Sequence, residues 1–190
     1  MSSPLKRCGW CGDDPQYVAY HDEEWGVATY DDQDLFERLV LESMQAGLAW
    51  ITVLRKREAM RELFFDFSIP KLAAAKGQDV ERWLLDPAII RHRGKLEAMI
   101  NNAQRAQEMD DFSGFLWQFV PQRTRVHRSM KTVPSQTPES EAMSKALKKL
   151  GFKFVGPTTC YAFMQSVGMV NDHIKDCFRY SACVLPSNRV

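Results

Sequence analysis

The chain has 190 residues, 45% of them hydrophobic and 26% charged, and its net charge is +1. That profile fits one globular unit with a sizeable core and excludes wholesale disorder. The five cysteines are odd in number and spread from Cys8 to Cys183, a poor disulfide framework that leaves metal binding or free thiols.

Alternation with period 2 is scarce and 3.6-residue patterns recur, so the chain reads as all-α. The first predicted helix covers about residues 32–45, capped by Asp31 or Asp32 and ended by Gly47, with Leu35, Phe36, Leu39, Val40 and Ser43 on one face. The second covers about residues 50–65, with Trp50, Val53, Leu54, Met60 and Phe64 as its apolar set. Ser68 and Pro70 open a short helix that stops at Gly77, and residues 80–85 form another, ended by Asp86-Pro87. A tight connection over residues 88–94 leads into a helix over about 92–109, with Leu96, Met99, Ile100 and Ala103 inward. A short aromatic helix follows over 112–120, then a long basic loop over 121–137. Thr137-Pro138 starts the next helix and Gly151 stops it. Pro157 opens the last, which ends near Gly168, and the tail from Asn171 is irregular.

No stretch approaches the roughly 20 apolar residues that span a bilayer, so no membrane partner is expected. The first eight residues lack the apolar run of a secretion signal. The expected compartment is the cytoplasm, where cysteines bind metal or stay reduced.

The charge is unevenly laid out. Residues 1–49 carry three basic and ten acidic side chains, net −7, and residues 50–190 carry net +8. The cations form three groups: Arg55, Lys56, Arg57 and Arg61; Arg91, Arg93 and Lys95; and Arg123, Arg125, Arg128 and Lys131. Such groups suit an anionic polymer held on one face, or simply a solvated helix surface.

Four features could carry chemistry. Cys8, His21, His173 and Cys177 offer two thiolates and two imidazoles, a closed set for one structural Zn2+, with the last two at i and i+4. Such an ion would clamp the two ends of the chain. Cys11 makes Cys8-Gly-Trp-Cys11 a C-x-x-C, which also reads as half a zinc ribbon or a redox pair, although no second C-x-x-C and no βαβ pattern accompany it. Glu42 lies at the edge of an apolar helix face, where a carboxylate either bonds a structural donor or reads a ligand. Trp10, Tyr17, Tyr20 and Trp25 fall within sixteen residues and can either pack together or stack on a planar ligand. Finally, Arg91, Arg93, Gly94 and Lys95 stand between two short helices. Free N–H groups at a helix start, a glycine and adjacent cations can hold a DNA phosphate without reading bases, as in a helix–hairpin–helix.

Taken together, these segments resemble the type I 3-methyladenine DNA glycosylases of the helix–hairpin–helix superfamily. The matching stretches include Arg7-Cys-Gly-Trp10, Tyr17-Val-Ala-Tyr-His-Asp-Glu-Glu-Trp-Gly26, Leu41-Glu42, Gln45-Ala-Gly-Leu-Ala-Trp-Ile-Thr-Val-Leu54, Ile89-Ile-Arg-His-Arg-Gly-Lys95, Gly151-Phe-Lys-Phe-Val-Gly156 and Asn171-Asp-His173, spread over nearly the whole chain. The resemblance implies an all-α helix–hairpin–helix glycosylase fold. It implies a single catalytic unit over 1–190, with its core at about 32–120 and both ends joined by one structural zinc at Cys8, His21, His173 and Cys177. It implies hydrolysis of the N-glycosidic bond of 3-methyladenine in alkylated double-stranded DNA by a monomer, leaving an abasic site. Glu42 matches the catalytic glutamate that bonds the edge of the flipped base. Tyr20 and Trp50 match residues on the base face, and Trp10 and Tyr17 help close the pocket. Leu48, presented by Gly47, matches the wedge that fills the gap in the duplex. The sequence departs from the family pattern at Ser43-Met44, where a Gly-Gln pair is usual, and at Ala49 and Ala162, where serines are usual. Those departures keep open an alternative, a non-catalytic binder of alkylation-damaged DNA with the same fold.

Overall fold

The computed structural model describes residues 5–123 and 125–184. Nine α-helices and no strands occur among them: α1 (Pro15–Ala19), α2 (Asp32–Gln45), α3 (Trp50–Leu63), α4 (Ile69–Ala74), α5 (Gly77–Leu84), α6 (Arg93–Gln107), α7 (Phe112–Trp117), α8 (Pro138–Lys149) and α9 (Pro157–Ser166). The all-α reading is therefore met.

Helix α2 keeps its expected bounds because its signals are local. Asp31 accepts a hydrogen bond from the Asp34 N–H at 2.9 Å, an N-cap, and Gly47 adopts φ 80° just beyond the C-terminus. All five expected inward residues are buried, and so are Leu41, Glu42 and Met44. The helix thus runs through the middle of the molecule, enclosed by α3, α6, α7 and α9.

Helix α3 stops at Leu63, two residues earlier than predicted. Phe65, Asp66 and Phe67 take left-handed φ values of 54–57°, and this turn swings Phe67 beside Phe64 in the core. Gly77 begins α5 instead of ending α4, since the Asp79 carboxylate accepts from the Lys76 N–H at 2.9 Å and supplies a cap there. Asp111 likewise caps α7 by accepting from the Gly114 N–H at 2.7 Å. Thr137 and Ser140 cap α8 reciprocally.

The sequence reading missed the structure before α2. Asp14 caps α1 through the N–H groups of Gln16 and Tyr17, with Pro15 at its first position, and the chain continues into a π-helical turn over Tyr20–Glu24. The Asp14-Pro15 pair was a readable start signal, but five residues carry too little periodicity to announce a helix. Gly168 lets the ends meet. A Cβ there would lie 2.7 Å from the Ala28 nitrogen and 2.8 Å from the Gly26 oxygen, so the N-terminal segment packs directly on the end of α9.

Candidate functional site

Helix α2 and the aromatic N-terminal segment enclose a cavity of about 230 Å³. Its walls are Trp10, Tyr17, Tyr20, Trp25 and Trp50, with Glu42, Gln45, Met130, Ala162 and Gln165 completing the lining. Every residue expected to touch a base is therefore in one place. Tyr20 and Trp50 have ring centroids 5.2 Å apart, and Trp10 lies 5.1 Å from Tyr17 and 4.9 Å from Trp25. The indole N–H groups of Trp10 and Trp50 are buried without a hydrogen-bond partner.

Glu42 is 5% exposed and forms no hydrogen bond or ion pair with any described residue. Burial pushes its carboxyl up to about 8, only partly opposed by the charge of Arg38. The cost of holding an unpaired carboxylate in a low-dielectric wall is the physical cause. A positively charged or amine-bearing ligand would remove that cost. The structural-donor reading of Glu42 is thereby left without a donor.

Beside the cavity, Cys8, His21, His173 and Cys177 are all buried, and their ligand atoms lie within 4.8 Å of one another. Cys8 Sγ is 3.6 Å from His173 Nδ1, and Cys177 Sγ is 3.5 Å from both His173 Nδ1 and His21 Nε2. Tetrahedral zinc with ordinary Zn–S and Zn–N bonds requires S···N separations of about 3.6 Å, so the donor set fits that ion. The outer nitrogens are also engaged. His21 Nδ1 lies 2.7 Å from Asp22 Oδ1, itself gripped by Arg7, and His173 Nε2 lies 3.1 Å from the Trp25 carbonyl oxygen. These contacts orient both rings with the inner nitrogens toward the thiols. Burial lowers both histidines, His173 to about 4, and keeps them neutral as ligands. His173 and Cys177 sit in an irregular turn and not on a helix; the Cys177 N–H bonds the Ile174 carbonyl to bring them round. Cys11 stands outside the cluster, its thiol donating to the Cys8 carbonyl at 3.1 Å.

The cationic groups divide. Arg55 pairs with Asp14, Arg57 with Glu24 and Glu37, and Arg61 with Glu37 and Glu58. Arg55, Arg57 and Arg61 thus join the acidic N-terminal part to α3, while Lys56 donates to the Pro87 carbonyl at 2.7 Å. Arg93 is exposed but paired with Glu81 at 2.5 Å, whereas Arg91 is exposed with no ion pair among the described residues. Lys95 corrects an expectation. It is 6% exposed, and its ammonium donates to the carbonyls of Met44 at 2.8 Å and Ala46 at 2.6 Å. It closes the C-terminus of α2 and is not a surface cation. Gly94 stands in the first turn of α6, which His92 caps by accepting from the Lys95 N–H at 3.2 Å. Leu48 is 41% exposed, directly after Gly47, on the short link between α2 and α3. The third group, Arg123, Arg125, Arg128 and Lys131, is exposed and forms no ion pair among the described residues.

Of the departures from the family pattern, Ser43 and Met44 point away from the cavity lining, and only Ala162 reaches it. Ala49 occupies the N-cap of α3 without any side-chain cap bond.

Comparisons with known proteins show the family. The family described as methyladenine glycosylase matches residues 10–180. DNA-3-methyladenine glycosylase 1 of Escherichia coli (strain K12) is 49% identical, over 97% of this chain and 100% of that protein. A crystal structure of 3-methyladenine DNA glycosylase I is 50% identical and superposes with a TM-score of 0.89, over 91% of this chain and 98% of that one. The Staphylococcus aureus 3-methyladenine DNA glycosylase I, solved to explain 3-methyladenine recognition, is 38% identical with a TM-score of 0.87, over 94% of this chain and 98% of that one. With the family model matching residues 10–180 and a relative 49% identical over nearly the whole chain, the chain belongs to the methyladenine glycosylase family.

Proposed function

We propose that this protein is a monofunctional DNA glycosylase that hydrolyses the N-glycosidic bond of 3-methyladenine in alkylated double-stranded DNA. The observation that carries the reading is Glu42: a buried carboxyl without a protein partner, in an aromatic cavity sized for a single base.

The chemistry follows from charge. Methylation at N3 of the nucleotide makes the purine cationic and weakens the bond from N9 to C1′. Water adds at C1′, the base leaves with the bonding electron pair, and an abasic site remains. The protein therefore has to extrude the nucleotide, seat the base and exclude normal adenine. Tyr20 and Trp50 hold the base face, Trp10 and Tyr17 close the pocket, and Glu42 accepts from the base edge. A cationic base lowers the cost of ionising Glu42, so binding favours the methylated base over a neutral one. Preference for the cation also opposes loss of its charge during cleavage, so Glu42 supplies selection more readily than the whole rate.

The connection between α5 and α6 acts as the helix–hairpin–helix, with Gly94, Arg91 and Arg93 against the phosphate backbone and Lys95 bracing the loop that carries Gly47 and Leu48. Leu48 fills the space left by the extruded base. One structural zinc, held by Cys8, His21, His173 and Cys177, clamps the N-terminal segment to the C-terminal turns. It would join both ends in a single unit; the expected core at about 32–120 is extended by α8 and α9, whose Met143, Leu147, Phe163 and Met164 belong to the same buried cluster. The described residues contain no helix long and apolar enough to cross a membrane. The protein is read as a cytoplasmic monomer.

The test is release of 3-methyladenine from methylated duplex DNA by the pure protein. Release above a heat-killed control is expected. A folded protein that retards abasic or alkylated DNA but frees no base is instead the non-catalytic binder.

A further inference from the structure

Asp172 is a buried carboxylate that the chemistry above does not use. It is 3% exposed. Its Oδ2 accepts from the Tyr161 hydroxyl at 2.6 Å and from the Gln165 amide Nε2 at 2.7 Å, and its Oδ1 lies 3.2 Å from His127 Nε2. Tyr161 and Gln165 both belong to α9, which packs on α2. His127 belongs to the 121–137 loop, whose Met130 also lines the cavity. The two hydrogen bonds from α9 therefore fix the Gln165 amide in the cavity wall.

The consequence lies at Gln165. An amide has a donor end and an acceptor end, and the hydrogen-bond network decides which way it points. With Nε2 committed to Asp172, the opposite end is the carbonyl oxygen. That oxygen accepts from no described residue and is not among the buried atoms sealed from solvent. Gln165 lines the same cavity as Glu42.

We infer that Gln165, oriented by Asp172, is a specificity-determining residue whose amide oxygen accepts from the exocyclic amine of a 6-aminopurine and rejects a 6-oxopurine. This rests on the glycosylase reading and deepens it. A 6-oxo group would set one acceptor against another and leave both unpaired. Glu42 cannot make this choice alone. A carboxyl that titrates near 8 presents a proton or a lone pair as the base demands, whereas an amide whose nitrogen is already engaged presents only oxygen.

The test compares release of 3-methyladenine and 3-methylguanine from one methylated duplex by the wild type, Gln165→Met and Gln165→Leu. The wild type should prefer the 6-amino base. In both variants that preference should drop about tenfold, the scale of one lost hydrogen bond, while affinity for abasic-site DNA stays within twofold. An unchanged ratio, with either both rates intact or both reduced alike, overturns the inference and leaves the glycosylase reading standing. A wild type that frees neither base defeats that reading itself. The two variants differ in shape, so a folding defect in one leaves the other to decide.

Discussion

The ammonium of Lys95 lies 2.6 Å from the carbonyl oxygen of Ala46, at the end of the helix that carries Glu42. A buried lysine with two backbone acceptors is a structural brace, and burial accordingly lowers its pKa. It ties the first turn of α6 to the link bearing Gly47 and Leu48, the two surfaces assigned to the DNA backbone and to the duplex gap.

Lys95→Met should therefore behave differently from Arg91→Ala. The Lys95 variant loses roughly 1–3 kcal/mol of stability, because two helix-end carbonyls lose their donor. Its affinity for abasic DNA falls, but the dependence of that affinity on salt keeps the wild-type slope. Arg91→Ala keeps stability and flattens the slope by about one counterion. Thermal melts and binding titrations at several salt concentrations separate the two. A flattened slope in Lys95→Met would place its ammonium on a phosphate after all.

Glu42→Gln should stabilise the fold at alkaline pH and weaken excision. The carboxyl is raised from 4.5 to about 8 in the folded protein. Between those values the folded state holds more protons than the unfolded state, so stability is full below about 4.5 and declines as pH rises through about 8. An amide has no such penalty. At pH 9 the variant should gain roughly 1–3 kcal/mol over the wild type, seen as a higher Tm. Excision should fall at least tenfold while binding to abasic DNA changes little. Equal loss of both would make Glu42 a structural residue.

The same titration predicts the pH profile of the wild type. If the ionised carboxyl selects the cationic base, kcat/KM for 3-methyladenine release should rise with pH up to about 8 and then level, reporting the free enzyme. The profile of Glu42→Gln should lack that limb. A rise that persists in the variant would belong to another group.

Zinc analysis should find one ion per chain. Removing it by chelation should cost several kcal/mol, a Tm decrease on the order of 10 °C for a chain of this length. His173→Ala should abolish the ion, and Cys11→Ser should retain it, since the Cys11 thiol is bonded to a carbonyl outside the cluster. Loss of zinc in Cys11→Ser would redraw the ligand set.

Ala49→Ser should stabilise the protein by about 1 kcal/mol, because the N-cap of α3 lacks a side-chain acceptor. Base excision should be unaltered. Thermal denaturation and a release assay on the same preparation check both halves.

The sequence by itself determined the pieces whose causes are local. The bounds of α2 follow from Asp31 and Gly47, and the inward faces of α2 and α6 follow from periodicity. The start of α8 follows from Thr137-Pro138. The residue types of the cavity and of the Cys/His cluster were also legible, through their chemistry and through resemblance. Caps and periodic faces act within a turn or two of backbone, and a sequence displays them directly. Tertiary structure alone decided what distant partners do to a side chain. It buried Lys95 against carbonyls 51 and 49 positions earlier in the chain, and it spent the Arg57 group on acids 33 and 20 positions away. It also left Glu42 without a partner and turned Gln165 by means of Asp172. Part of the acidic beginning is paired with α3, while Arg91 and the basic loop are among the exposed cations that form no ion pair among the described residues. Burial and pairing depend on contacts across the fold, and composition records only their sum.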